Sequence, residues 1–201
     1  MKKGSIIRYF PGNNTPDGYF SYFESILPWK RAQRIIIIKG GPGVGKSTMI
    51  RKITKELVDR GLNIELLHCT ADSNSLDGLI IKDYSIAVVD GTAPHMIDPK
   101  FPGCVDEIVN LGDYWNEAEL YKQKERIFLL QEKVKHLYAR VYNYLKAAKI
   151  IFNNLEQAYS TLANRRLIEA KTEEIIEDVF KGVKRRDKIS LQRRMFASGI
   201  T

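Results

Sequence analysis

The 201-residue chain has only two cysteines, Cys69 and Cys104, which excludes the disulfide framework of a small secreted domain. Their surroundings also lack the ligand spacing of a zinc site. No apolar run approaches the roughly 20 residues that cross a bilayer, and the N-terminus lacks the apolar core of a signal peptide. We therefore expect a cytoplasmic protein with no membrane partner.

Basic charge is unevenly distributed. The formal net charge is +8, and residues 181–194 alone hold seven basic residues against one acid. Such a cluster can bind nucleic-acid phosphates, but it lacks the interleaved aromatic residues typical of single-strand binding. A solvated linker between domains explains the cluster equally well, so nucleic acid is a disfavoured partner.

Glycine and proline are absent from residues 113–181, so this region is predicted to be helical. A break is expected within Ser160–Asn164, with a second helix over 162–181. An antiparallel helical hairpin is the favoured interpretation, and a dimerising coiled coil or moving arm is the alternative. Apolar residues of the first helix alternate by three and four, as in a heptad pattern, at Ile127, Leu130, Val134, Leu137, Val141, Tyr144, Ala148, Ile151 and Leu155.

Residues 40–48 fit the phosphate-binding pattern G-x-x-x-x-G-K-[ST]. The apolar run 35–38 precedes them and a helical pattern opens at Lys46, which is the strand-loop-helix context that the pattern requires. Glycines let backbone N–H groups face phosphate oxygens, while Lys46 can reach the β- and γ-phosphates and Ser47 can ligate Mg²⁺. The predicted nucleotide-binding residues are Gly40, Gly41, Pro42, Gly43, Val44, Gly45, Lys46, Ser47 and Thr48.

Two further strands are predicted, over 63–69 and 85–90. The second ends in Asp90, as the Walker B acid does, and we expect Asp90 to join Ser47 at the Mg²⁺. Residues 71–78 are predicted to be a loop at the same sheet edge, beside the phosphate site.

The remaining segments are less regular. Residues 18–29 have the spacing of a short amphipathic helix, and Trp29 is interpreted as a core residue rather than a neighbour of the nucleotide base. Residues 91–112 contain six glycines and prolines and are predicted to form an ordered loop over the active edge.

These features predict an α/β protein: a P-loop-type parallel sheet covered by helices, followed by a long helical hairpin. Residues 1–112 would form the nucleotide-binding domain and residues 113–182 the helical hairpin. Residues 183–201 would form a basic linker and the start of a second, truncated repeat, because Arg8, Phe10 and Thr15 recur at the same spacing as Arg194, Phe196 and Thr201.

The chain resembles P-loop NTPases and, more narrowly, the N-terminal half of a bacterial family with two P-loop ATPase domains in tandem. The resembling stretches are Gly-Gly-Pro-Gly-Val-Gly-Lys-Ser-Thr at 40–48, His-Cys-Thr-Ala-Asp-Ser-Asn-Ser-Leu-Asp-Gly at 68–78, Val-Asp-Gly-Thr-Ala-Pro-His at 89–95, Asp-Pro-Lys-Phe-Pro-Gly at 98–103 and Arg-Arg-Met-Phe-Ala-Ser at 193–198. The resemblance implies ATP and Mg²⁺ as ligands. It also implies a second P-loop domain, in the same protein or in a homo-oligomer, as a partner.

The favoured function is Mg²⁺-dependent ATP hydrolysis, with Lys46 and Asp90 at its centre. Many ATPases place glutamate after the Walker B acid, but Gly91 stands here. Asp72, Asp77 and His95 are therefore candidates for the catalytic base. One alternative is a small-molecule kinase that uses Asp72 or Asp77 under a helical lid. The other is a non-enzymatic nucleotide switch or nucleic-acid-associated module. Candidates for an arginine finger, on charge alone, are Arg165, Arg166, Arg185 and Arg186.

Overall fold

The computed structural model describes residues 3–184 and 193–196. In these residues the strands are β1 (Ile6–Tyr9), β2 (Gly12–Thr15), β3 (Gly18–Ser21), β4 (Arg34–Lys39), β5 (Ile64–His68), β6 (Leu76–Ile81), β7 (Ile86–Asp90) and β8 (Asp106–Asn110). The α-helices are α1 (Lys46–Asp59), α2 (Glu117–Lys122), α3 (Lys124–Leu162) and α4 (Arg165–Val179).

A six-stranded sheet forms the centre of the molecule, in the order β1-β5-β6-β7-β4-β8. β6 is antiparallel to both of its neighbours, and the other pairings are parallel. The predicted parallel α/β sheet is therefore confirmed except for β6. β4 lies between β7 and β8, so the phosphate-binding loop leaves the sheet beside the end of the strand that carries Asp90.

Successive isoleucines of β4 face opposite sides of the sheet, as the strand period of two requires. Ile35 and Ile37 enter a core cluster that the segment around Phe23 and Ile26 covers. Ile38 enters the cluster on the other face, which α1 covers with Ile50. Because both faces are buried, β4 reads as a continuous apolar run.

The N-terminal prediction was wrong in one element. Residues 18–29 contain β3 and a short 3₁₀ turn at Phe23–Ser25 rather than an amphipathic helix. β3 pairs with β2 across Pro16 and Asp17, and the Thr15 hydroxyl accepts a hydrogen bond from the Asp17 N–H. Paired aromatic residues in a 12-residue window match helix and strand periods about equally, so the window alone could not decide.

Two other strands were missed. The segment predicted as a loop at 71–78 ends inside β6, and the loop predicted at 91–112 contains β8. β8 is a short strand at the edge of the sheet, and its sequence contains charged residues. Charged residues protect an exposed edge from pairing with another chain. They also remove the apolar alternation by which a strand is recognised in a sequence.

α3, α4 and the break between them at Ala163 and Asn164 confirm the helical reading of this region. Asn164 caps α4 by accepting a hydrogen bond from the Leu167 N–H. Neither helix contains a buried residue, so the packed core expected of a hairpin is not formed. No described helix is long and apolar enough to span a bilayer.

Residues 193–196 return to the N-terminal part of the chain. Phe196 forms an antiparallel bridge with Phe10, and Arg193 donates a 2.6 Å hydrogen bond to the buried carboxylate of Glu65. Burial would raise the pKa of Glu65, but Arg193 and Lys82 outweigh it and lower that pKa. Residues 185–192 of the basic cluster and residues 197–201 of the proposed second repeat lie outside the described residues.

Candidate functional site

The phosphate-binding pattern forms the turn between β4 and α1. Gly45 caps the N-terminus of α1 with a φ of +98°, a left-handed conformation that favours glycine. A Cβ on Gly41 would lie 3.0 Å from the Trp115 indole, so a side chain there would require that ring to shift by a few tenths of an ångström. The loop therefore has the open backbone that anion binding at a helix N-terminus needs.

Lys46 connects this loop to the adjacent strand. Its Nζ donates hydrogen bonds to the carbonyl oxygens of Gly40 and Gly41, at 2.6 and 3.0 Å. The same Nζ lies 3.5 Å from an oxygen of Asp90, and both side chains are largely buried. The predicted Lys46 and Asp90 therefore meet at the ends of two neighbouring parallel strands.

The oxygen atoms that would hold Mg²⁺ are ordered by local hydrogen bonds. The Ser47 hydroxyl oxygen accepts a 2.9 Å bond from the Leu76 N–H, and the Thr92 N–H donates to Asp90 Oδ1 at 2.9 Å. A hydroxyl and a carboxylate are hard oxygen donors, the type Mg²⁺ prefers. The donor set of Ser47 and Asp90 thus fits a magnesium ion.

Asp77 is brought to the site by β6 rather than by a loop. The β6–β7 ladder ends with Gly78 opposite Val89, which places Asp77 next to Asp90. A bulge at Leu67 and His68 leaves Asp77 outside the other ladder as well, and such bulges re-aim side chains near functional sites. The Asp77 and Asp90 carboxyl groups are both buried and lie within 4.8 Å of each other.

His95 completes this corner of the site. Its ring stacks on Phe23, with centroids 4.3 Å apart, and its Nδ1 lies 3.9 Å from an Asp77 oxygen. The other ring nitrogen, Nε2, is buried with no hydrogen-bond partner among the described residues. Lys39 holds the segment that carries His95, because its Nζ donates to the carbonyl oxygens of Gly91 and Ile97 on either side of His95.

Burial and neighbouring charges shift the pKa values of Asp77 and His95 in opposite directions. Burial, and then the Asp90 charge, raise the pKa of Asp77 to about 7, against the opposing effects of Cys69 and Lys46. Burial lowers the pKa of His95 to about 4, and the attraction of Asp90 does not compensate for it. Near neutral pH, His95 is therefore neutral and the Asp77 carboxyl retains a proton more readily than an exposed aspartate.

We predict that Asp77→Asn and His95→Gln give opposite pH dependences of stability. The raised pKa of Asp77 adds stability at low pH that is lost as pH rises through about 7. The lowered pKa of His95 adds stability above about 6.5 that is lost as pH falls toward about 4. These slopes nearly cancel in the wild type.

On acidification from pH 6.5 to 4.5, the free energy of unfolding of Asp77→Asn should fall relative to wild type, and that of His95→Gln should rise. Denaturant unfolding of the nucleotide-free chain measures both. Slopes of the same sign for the two variants would show that the pair does not titrate as described.

The other base candidate, Asp72, lies apart from this corner. Its carboxylate accepts hydrogen bonds from the Asn74 N–H and the Ser75 hydroxyl in an exposed turn. Arg165 and Arg166 begin the exposed helix α4, and Arg185 and Arg186 lie outside the described residues. Trp29 packs on the core and donates to Asp106, which confirms its interpretation as a core residue.

A second group of polar residues was missed in the sequence. Asn110 is the last residue of β8 and pairs with Lys39, the residue that precedes the phosphate-binding loop. The Asn110 amide donates to an Asp113 carboxylate oxygen at 2.5 Å. The two residues line a cleft of about 450 Å³ together with Gly40, Gly41, Gly112, Trp115 and Glu117. Only recognition of β8 as a strand would have placed them here.

The family of the methylmalonyl Co-A mutase-associated GTPase MeaB matches residues 23–87, less than half of the chain. The matched part includes the phosphate-binding loop and ends before Asp90. Comparisons with curated proteins and with solved structures give no significant match. The fold, the loop and the family match together show a nucleotide-binding protein of the P-loop NTPase superfamily.

Proposed function

We propose that this chain is a Mg²⁺-dependent P-loop nucleotide hydrolase that uses GTP. The observation that carries hydrolysis is the convergence of Lys46 and Asp90 at the end of two adjacent strands. Lys46 and the backbone N–H groups of the loop hold the triphosphate and neutralise its charge. Ser47 and Asp90 would hold Mg²⁺, which would supply charge stabilisation to the triphosphate.

Asp77 is the group that orients the attacking water. Asp77 is buried, and its carboxylate lies within 4.8 Å of that of Asp90, the partner of Lys46. The water oxygen forms a bond to the γ-phosphorus as the bond to the bridging oxygen breaks, and GDP leaves with that electron pair. Asp77 accepts the proton of the water, and His95 packs against this carboxyl and excludes bulk solvent.

Guanine rather than adenine is the proposed base, which differs from the ATP expected from the sequence. The guanine edge presents two adjacent N–H donors, and the Asp113 carboxylate can accept both. Adenine offers an acceptor at the corresponding ring nitrogen, which a carboxylate would repel. The position of Asp113 in the cleft beside the loop supports this choice, as does the GTPase named in the family match.

Phosphate release from GTP, with no acceptor added, tests the hydrolase proposal. We expect GDP and phosphate to appear in equal amounts, and turnover to stop when Mg²⁺ is chelated and to return when it is restored. Turnover that requires an added small acceptor would instead favour the kinase alternative. Nucleotide binding without turnover would favour a switch.

A further inference from the structure

α3 carries an apolar surface that nothing in the described part of the chain covers. The helix has 39 residues, none of them buried, and it spans about 58 Å at 1.5 Å per residue. Only a few of its side chains touch the nucleotide-binding domain, as when the Tyr142 hydroxyl donates to Asn14.

Eleven residues of α3 follow a strict alternation of three and four, which continues to the last residue of the helix, and we name these eleven the α3 seam. All of them are exposed except Ile127, which is half-buried, and other exposed apolar residues of α3, such as Leu129 and Ile150, lie outside this row. The α3 seam consists of Ile127, Leu130, Val134, Leu137, Val141, Tyr144, Ala148, Ile151, Leu155, Ala158 and Leu162.

The seven-residue repeat of the α3 seam indicates which kind of element can pack against it. On a straight helix a seven-residue repeat drifts by about 20° per heptad, and only a partner that supercoils with the helix stays in contact along it. A flat sheet would lose contact after two or three heptads. The partner of the α3 seam is therefore another long helix.

No other described helix has that length. α4 has 15 residues and could cover about 22 Å, and α1 is already packed on the sheet. We propose that the α3 seam pairs with the α3 seam of a second copy of this chain, as a two-stranded coiled coil. β-branched Ile127, Val134 and Val141 alternating with Leu130 and Leu137 are the residues that favour two strands.

The area available is sufficient for a stable pair. Nine of the seam residues are larger than alanine, and if each buries about 60 Å² of apolar surface, two helices bury roughly 1,100 Å² from these side chains alone. Contacts of the flanking residues add to this. Specific interfaces begin near about 1,200 Å². The basic residues beside the seam, Arg126, Lys133 and Arg140, face Gln131, Tyr138 and Leu145 in a parallel in-register pair, so like charges do not meet.

The chain offers a closely matched pair of variants. Leu130 and Ile151 lie in the seam, at 50% and 71% exposure, while their neighbours Leu129 and Ile150 lie outside it, at 71% and 64%. Leu130→Lys/Ile151→Lys and Leu129→Lys/Ile150→Lys therefore make the same chemical change at positions that are all at least half exposed. Far-UV circular dichroism and nucleotide binding check that both variants fold.

Sedimentation equilibrium of the full chain measures the association. We expect twice the monomer mass at about 10 µM for wild type and for Leu129→Lys/Ile150→Lys. The seam variant should dissociate, with a Kd weaker by about 1,000-fold or more, because four apolar side chains leave the interface. A wild type that remains monomeric at about 100 µM, a dimer that survives the seam variant, or equal effects of the two variants would each overturn the proposal.

Discussion

Asp113→Asn should weaken GTP binding by about 100-fold or more and create binding of XTP. Two hydrogen bonds to a charged carboxylate are lost, and each is worth about 1.5–3 kcal/mol. An asparagine amide offers one acceptor and one donor, which matches the N–H and carbonyl of the xanthine edge. Competition binding with GTP, XTP and ATP measures the change.

Glu117→Gln is the control for this experiment. Glu117 lines the same cleft, so its neutralisation removes one negative charge nearby without touching the proposed contact to the base. We expect the preference for GTP to stay within about 3-fold. If the wild type prefers ATP, or if Glu117→Gln shifts the preference as Asp113→Asn does, the assignment of guanine is wrong.

Asp77→Asn should lower kcat by about 100-fold or more while the Kd for GTP with Mg²⁺ changes little. The amide keeps the shape of the side chain but cannot accept a proton from the attacking water. Single-turnover hydrolysis and equilibrium binding separate the two effects. Because Asp77 is buried, the thermal midpoint of the variant should be measured in parallel.

Asp72→Asn is the matched control, since it makes the same substitution in an exposed turn nearby. Its kcat should remain within about 2-fold of wild type. Equal losses in both variants would point to a general loss of negative charge. Full turnover by Asp77→Asn would exclude Asp77 as the base.

The sequence predicted the phosphate-binding loop because every requirement of that loop is local. A strand, a glycine turn and a helix start follow one another within residues 34–48, and short-range patterns describe such a unit well. Asp90 was predicted for the same reason, since it ends a buried apolar strand parallel to β4.

The position of Asp77 depends on a pairing that the sequence does not reveal. Residues 76–81 are buried throughout and show no alternation, and the Asp-Gly pair at 77–78 inside the run is typical of a turn rather than of a strand. When the segment was predicted to be a loop, Asp72 and Asp77 were equally good candidates for the catalytic base. The register of β6 against β7 separates them, because only Asp77 is carried to Asp90.

The cleft lined by Asn110 and Asp113 was missed because it depends on β8. The sequence Asp-Glu-Ile-Val-Asn is short and charged, and it becomes a strand by pairing with the buried edge of β4. Tertiary context overrides local preference in such edge strands. Only the pairing of β8 with β4 shows that Asn110 and Asp113 lie beside the phosphate-binding loop.

Phosphate release from GTP by the full chain, compared with Lys46→Ala, tests the account most directly. Lys46 donates hydrogen bonds to the loop and also pairs with Asp90, so circular dichroism and the thermal midpoint of the variant are measured to check that it folds. We expect Mg²⁺-dependent turnover by the wild type and a loss of about 100-fold to 1,000-fold in the variant, as for removal of one preorganised donor to the transition state. Turnover unaffected by Lys46→Ala would contradict the proposed site.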